Sequence, residues 1–277
     1  MVEPSPVGAL LRRWRSARGK SQLALANEAG VSSRHLSFVE TGRAAPSRDM
    51  VILLAEALDV PLRERNALLE AAGFAAIYKE TPIDAPRMTE VHGALTEILR
   101  AHGTNPTLVV NRRYDVLMAN DAAQRLIGAF AGAGLADPRI ARNVARMLLA
   151  PDGLRPSVRN WVEVAAHVVH RLRRELAASP SRDAEDEALL RDVFAVPDIE
   201  RVSHHAPDAS RTLEILVPVI LQRGGLRLEL FTTITTLGTP LDITLQELRI
   251  ETLFPATAAS RRTLDTLVTP QPNLTYS

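Results

Sequence analysis

The 277-residue chain contains no cysteine. No disulfide framework and no thiolate zinc site can form, which favours a reducing compartment. Aromatic residues make up only 4 %, and Trp14 and Trp161 are the only tryptophans, one in each half of the chain. No apolar run approaches the roughly 20 residues of a membrane span. The opening "MVEPSPVGALLRRWRSARGK" sets arginines among its apolar positions, unlike a signal peptide. These absences favour a cytoplasmic protein with no membrane partner. Lysine is confined to Lys20 and Lys79, a bias that hints at a GC-rich bacterial genome and says nothing about mechanism.

Catalytic signatures are missing too. There is no HExxH and no Gly-x-Ser-x-Gly elbow, and Gly224-Gly225 reads as a hairpin turn rather than a phosphate loop. His167 and His170 sit three apart on a predicted helix, and His204-His205 in a predicted loop. None has a cysteine or a carboxylate cluster to complete a metal site. No catalytic residue, metal or cofactor is expected, and a metal-dependent enzyme fused to a binding domain is a remote alternative.

What the chain does have is an uneven charge. Its net charge is only +1, yet residues 12–48 carry eight basic groups (Arg12, Arg13, Arg15, Arg18, Lys20, Arg34, Arg43, Arg48) against Glu28 and Glu40, a local +6. Residues 49–80 hold three basic and six acidic groups, −3. A short basic block suits a polyanion such as DNA, although a solvated basic face is the plain alternative.

Residues 7–72 predict five short helices. Val7, Leu10, Leu11 and Trp14 form one stripe. Ser21, Ser32 and Ser47 are N-cap candidates, Pro61 starts the fifth helix, and Gly30, Gly42 and Gly73 are stops. "QLALANEAGVSSRHLSFVE" carries the demanding pattern of a helix-turn-helix: small Ala26 at the crossing, Gly30 in the turn, and Leu25, Ala29, Val31, Leu36 and Val39 for the shared core. In that motif the first turn of the second helix meets base edges in the major groove. Ser33, Arg34 and His35 are thus candidate base readers, with Arg34 suited to a bidentate contact with guanine and Phe38 to a thymine methyl. Gln22, Arg43 and Arg48 are candidate phosphate contacts.

These residues carry a resemblance. Residues 7–72 resemble the Xre/Cro-type five-helix DNA-binding domain through Ser21-Gln22, Leu25-Ala26, Gly30-Val31-Ser32, Glu40-Thr41-Gly42-Arg43 and Pro46-Ser47. The chain as a whole resembles regulators whose C-terminal half is an MmyB-like ligand-binding domain. That likeness rests on "LVVNRRYDVLMAN", "LLAPDGLRP", "NWVEVAAHVVHRLRRE" and "TTLGTPLDITLQELRIETLFP". It implies a PAS-like fold for the second half, a small apolar and possibly fatty-acyl effector, and a transcription regulator overall.

In the second half, residues 74–90 predict a linker into a helix over 89–102. "TLVVNRRYDVLMAN" predicts two short strands around a turn at Arg112 to Tyr114. "RIARNVARMLLA" and "VRNWVEVAAHVVHRLRREL" predict helices. "LEILVPVILQ", "LRLELFTTITTL" and "DITLQELRIETLF" predict three long antiparallel strands joined by tight turns, with Glu247, Arg249 and Glu251 on a salt-bridged outer face. Candidate ligand contacts are Trp161 as a wall, Phe231, Thr233 and Thr235 beside an apolar strand, and Asn143 with Arg146 for a carboxylate. The threonines are equally explained by strand preference.

The expected fold class is α+β, with an all-α helix-turn-helix domain over 1–75, a linker and connecting helix over 76–103, and a PAS-like antiparallel sheet with helices over 104–277. The expected partners are double-stranded DNA with a pseudo-palindromic operator, a small-molecule effector and a second copy of the chain. A C-terminal half that serves only for dimerisation or protein docking is the alternative.

Overall fold

The computed structural model describes residues 5–177, 179, 181–203, 218–238 and 240–268. The chain forms two compact units, Met1–Thr81 with Thr239–Gln246, and Pro82–Gly238 with Glu247–Ser277.

The first unit contains α1 (Pro6–Ala17), α2 (Gln22–Glu28), α3 (Ser33–Glu40), α4 (Arg48–Ala57) and α5 (Leu62–Ala71). The first four helices start on serine. The hydroxyls of Ser5, Ser21, Ser32 and Ser47 accept from the backbone N–H of Gly8, Ala24, His35 and Met50, each satisfying an otherwise orphaned amide. Pro61, before α5, offers no side-chain acceptor. Leu11, Leu25, Ala26, Leu36, Val39, Leu54 and Leu68 are fully buried. At Gly8 a Cβ would stand 2.3 Å from the Val39 carbonyl oxygen, so only glycine lets α1 run this close to the end of α3. Gly30 takes the left-handed turn between α2 and α3 at φ 66°.

The second unit begins with α6 (Thr89–Ala101), β1 (Thr107–Val110), β2 (Val116–Ala119) and α7 (Asp121–Phe130). There follow α8 (Pro138–Ala141), α9 (Val144–Leu149), α10 (Trp161–Leu172), a π-turn over Arg173–Ala177, α11 (Ala184–Phe194) and α12 (Ile199–Ser203). β3 (Val219–Arg223) and β4 (Leu226–Thr235) form a hairpin over Gly224-Gly225. The chain then makes α13 (Ile243–Glu247), β5 (Arg249–Pro255) and α14 (Ala258–Val268). The sheet is antiparallel in the order β2-β1-β5-β4-β3, a PAS-like α+β arrangement.

Strand alternation gives the sheet two different faces. Leu221, Leu228 and Leu230 join Phe130, Trp161, Ala165 and Leu172 in the main core, with Leu253 packed against it. We call this the inner face. On the other face Val109 and Ile250 pack with Leu95 and Leu99 of α6.

Three expectations need correction. "RIARNVARMLLA" is not one helix, because Asn143 is extended and bridges Asp115 between α8 and α9. "DITLQELRIETLF" is not one strand, because its front half coils into α13 and β5 starts at Arg249. β4 and β5 are therefore joined by a helical connection, not a tight turn. Glu251, expected on an outer face, is only 8 % exposed. The helices α11 and α12 were not anticipated; Asp183 and Asp186 build a capping box that starts α11.

The connection after β4 belongs to the first unit. The Leu62 backbone N–H donates to Gln246 Oε1 at 2.6 Å, which supplies the acceptor that Pro61 lacks. Asp242 accepts from the Thr81 hydroxyl at 2.6 Å, and the Ile243 N–H donates to the Lys79 carbonyl at 2.8 Å.

Candidate functional site

The local +6 divides into inward and outward groups. Arg18 donates to the Leu58 and Asp59 carbonyls. Lys20 donates to Glu28 and to the Ala57 carbonyl. Arg15 donates to both oxygens of Glu40, at 2.7 and 2.9 Å, and to the Lys20 carbonyl. Arg12, Arg13, Arg34, Arg43 and Arg48 are exposed.

At the start of α3, Ser33 and Arg34 are exposed and His35 is half-buried. The Arg34 guanidinium lies 5.4 Å from the centroid of the half-buried Phe38 ring. This cation–π contact restrains a long side chain that would otherwise be free to swing. Gln22 donates from Nε2 to Glu40 Oε2 at 2.8 Å, which fixes its side chain at the start of α2. Burial pushes the Glu40 carboxyl up, but hydrogen bonds from Arg15 and Gln22 and the charges of Arg15 and Arg12 outweigh this and hold it below the usual carboxylate range. The Arg15–Glu40–Gln22 network is not legible in the sequence, because Gln22 and Arg15 lie 18 and 25 residues from Glu40.

In the second unit, Trp161 is 8 % exposed, and its indole N–H donates to the Leu148 carbonyl at 3.0 Å. The Arg155 guanidinium stacks on its ring, 3.7 Å from the centroid. Asn143 is buried and fully engaged: its amide donates to the Arg113 carbonyl and to Asp115, and its oxygen caps Arg146 N–H. Arg146 pairs with Asp192 at 2.9 Å. It lines an open groove of about 340 Å³ with Ile140, Leu149 and Val196. The expected carboxylate-binding pair is thus a helix cap beside an internal ion pair.

Phe231, Thr233 and Thr235 do not meet Trp161. Thr232 pairs with Leu253 on the inner face, so its neighbours in the strand point to the other side. Phe231 stacks on Phe254 with centroids 5.5 Å apart, and Thr233 and Thr235 are exposed. His167 and His170 are exposed on α10, and His204 and His205 lie outside the described residues. Among the described residues no group of three or more metal-ligating side chains gathers, and no helix is long and apolar enough to cross a membrane.

A helix-turn-helix unit followed by an antiparallel sheet domain is the layout of a DNA-binding transcription regulator with a separate C-terminal domain. The chain matches a helix-turn-helix domain family over residues 6–68 and the MmyB-like transcription regulator ligand binding domain over residues 91–267. It belongs to the MmyB-like transcription regulators. Among solved structures it is similar to the restriction-modification controller protein C.AhdI from Aeromonas hydrophila, with 36 % identity, a TM-score of 0.21, and coverage of 22 % of this chain and 92 % of that one. It is also similar to an RNA-binding light-oxygen-voltage receptor, with 15 % identity and a TM-score of 0.24 over 95 % of this chain and 62 % of the receptor. No curated protein matches it.

Proposed function

We propose that the chain binds double-stranded DNA as a homodimer and that a small apolar effector, a fatty-acyl compound being one such, taken up by the C-terminal domain alters that binding. The observation that carries this reading is the first turn of α3, where exposed Ser33 and Arg34 precede a ring that restrains the arginine. In this reading Arg34, Ser33, His35 and Phe38 meet base edges, while Gln22, Arg43 and Arg48 meet phosphates. The protein acts in the cytoplasm and carries out no catalysis. Trp161, on the inner side of the sheet, is the reporter of effector uptake.

A second reading, in which the C-terminal domain serves only for dimerisation, is favoured by how closely its core is filled. Phe130, Met147 and Leu172 are each at most 1 % exposed. A native mass spectrum of the purified chain separates the two. A co-purifying small molecule on a dimer supports sensing. A dimer that takes up no small molecule from an apolar library supports the dimerisation module.

A further inference from the structure

The short helix α13 lies where the chain passes from one unit to the other. Thr239–Gln246 group with the first unit and Glu247 with the second. Gln246 and Glu247 are the last two residues of this helix. Adjacent Cα atoms stand about 3.8 Å apart across a peptide bond, so no slack separates the two.

Each side of this junction is anchored. On the first-unit side, Asp242 and Thr81 are both buried. Asp242 accepts from the Thr81 hydroxyl and backbone N–H, and Gln246 caps α5 at the Leu62 N–H. On the second-unit side, Leu248 is fully buried with Leu95, Leu99 and Val109. Glu247 Oε2 lies 3.6 Å from Nε of Arg112, whose side chain is 8 % exposed.

Arg112 has rival partners. Its Nη2 donates to Asp186 Oδ2 at 2.5 Å and to Asp183 Oδ2 at 3.4 Å. These two aspartates form the capping box of α11. Arg113 pairs with the same two aspartates and with Glu185. Two guanidinium groups therefore serve four carboxylates, three at the start of α11 and the fourth, Glu247, on α13. Arg112 Nε is buried and makes no hydrogen bond. A buried donor without an acceptor is costly. N–H···O bonds form at about 2.7–3.2 Å, so a shift of roughly half an ångström would bring Glu247 Oε2 within reach.

We propose that α13 is a strap: Arg112 divides its hold between the start of α11 and Glu247, and α13 passes that balance to the cap of α5. A firm Arg112–Glu247 pair keeps α13 wound and Gln246 on the Leu62 N–H. When Arg112 turns wholly to the aspartates, α13 loosens and the cap is weakened. α5 packs against α1, whose Arg15 holds Glu40 of α3, so a loosened α5 reaches the proposed base-reading helix. The inference rests on the reading that effector uptake by the C-terminal domain alters DNA binding, and it names the route.

The test is hydrogen exchange of the full chain, without ligand or DNA, read at the Leu62 amide relative to the Leu25 amide of α2. Arg112→Lys keeps a positive charge toward the aspartates and removes Nε. It should speed exchange at Leu62 roughly three- to tenfold relative to Leu25, the worth of one hydrogen bond, although residue 112 belongs to the other unit. In a Gln246→Ala chain, where the cap is already gone, Arg112→Lys should leave Leu62 exchange unchanged. Glu247→Gln weakens the pair from its other side without touching the aspartates of α11 and should give the same shift. A Leu62-to-Leu25 ratio unaltered in Arg112→Lys, or in Glu247→Gln where the first variant does not fold, overturns the strap. So does an Arg112→Lys effect that persists at full size without Gln246. A chain that shows the shift but takes up no small molecule keeps the strap and loses the effector reading.

Discussion

Arg34 lies in the first turn of α3 and Glu40 closes it, and the two do opposite work. Arg34 faces outward with a planar fork suited to guanine. Arg34→Ala should lower operator affinity by about 1–3 kcal/mol and relax preference at one base pair. Arg43→Ala should weaken all sequences alike and flatten the salt dependence. Titrations against operator variants check both, and equal losses on every variant for Arg34→Ala would remove it from the base readers. Glu40 faces inward, and its carboxyl titrates below the usual range in the folded chain. Its stabilising contribution is therefore complete above the unfolded value of about 4.3 and is lost as pH falls through the lowered folded value. Glu40→Gln should destabilise the chain by about 3 kcal/mol at neutral pH, because it strands the Arg15 charge, and should flatten the acid limb of the stability curve. Thermal melts from pH 2 to 7 decide this. The serine caps were legible in the sequence because each cap and its amide lie three residues apart. The Glu40 network was not, because a buried carboxylate at a helix end reads the same as a solvated one until its partner is placed.

At the scale of elements, sequence periodicity located the five helices of the first unit closely and failed around residue 243. Ile243 and Leu245 alternate with polar residues as a strand would. What turns them into α13 is Asp242, which accepts from the Thr244 N–H at 3.0 Å and also holds Thr81. The second interaction spans 161 residues and cannot be read locally. The same distance hid the fate of Thr233 and Thr235, since which face of β4 meets the helices depends on its pairing with β5. The connection carrying α13 gives α5 a side-chain cap in Gln246. Gln246→Ala should cost about 1 kcal/mol and speed hydrogen exchange at Leu62 more than at the amides of α2. If the Leu62 amide exchanges at the same rate in both proteins, the capping role is wrong.

At the scale of the whole molecule, one helix-turn-helix unit contacts only a few base pairs. A dimer should read two half-sites about 34 Å apart, or a multiple of that, on a pseudo-palindrome. Sedimentation of the chain, free and on such a duplex, checks this, and a monomer in both states would refute it. The borrowed cap on α5 adds a constraint of another kind, in time. Leu62 and the Gln246 that caps it are 184 residues apart in the chain. A ribosome adding about 5–20 residues per second needs roughly ten to forty seconds to travel between them. During that interval α2 and α3 are already made, yet the Leu62 N–H lacks its Gln246 acceptor. The first unit is completed only once the segment after β4 has been synthesised, so a polypeptide abandoned earlier lacks this cap. The order of synthesis thus ties the finished first unit to a chain that already contains most of its second.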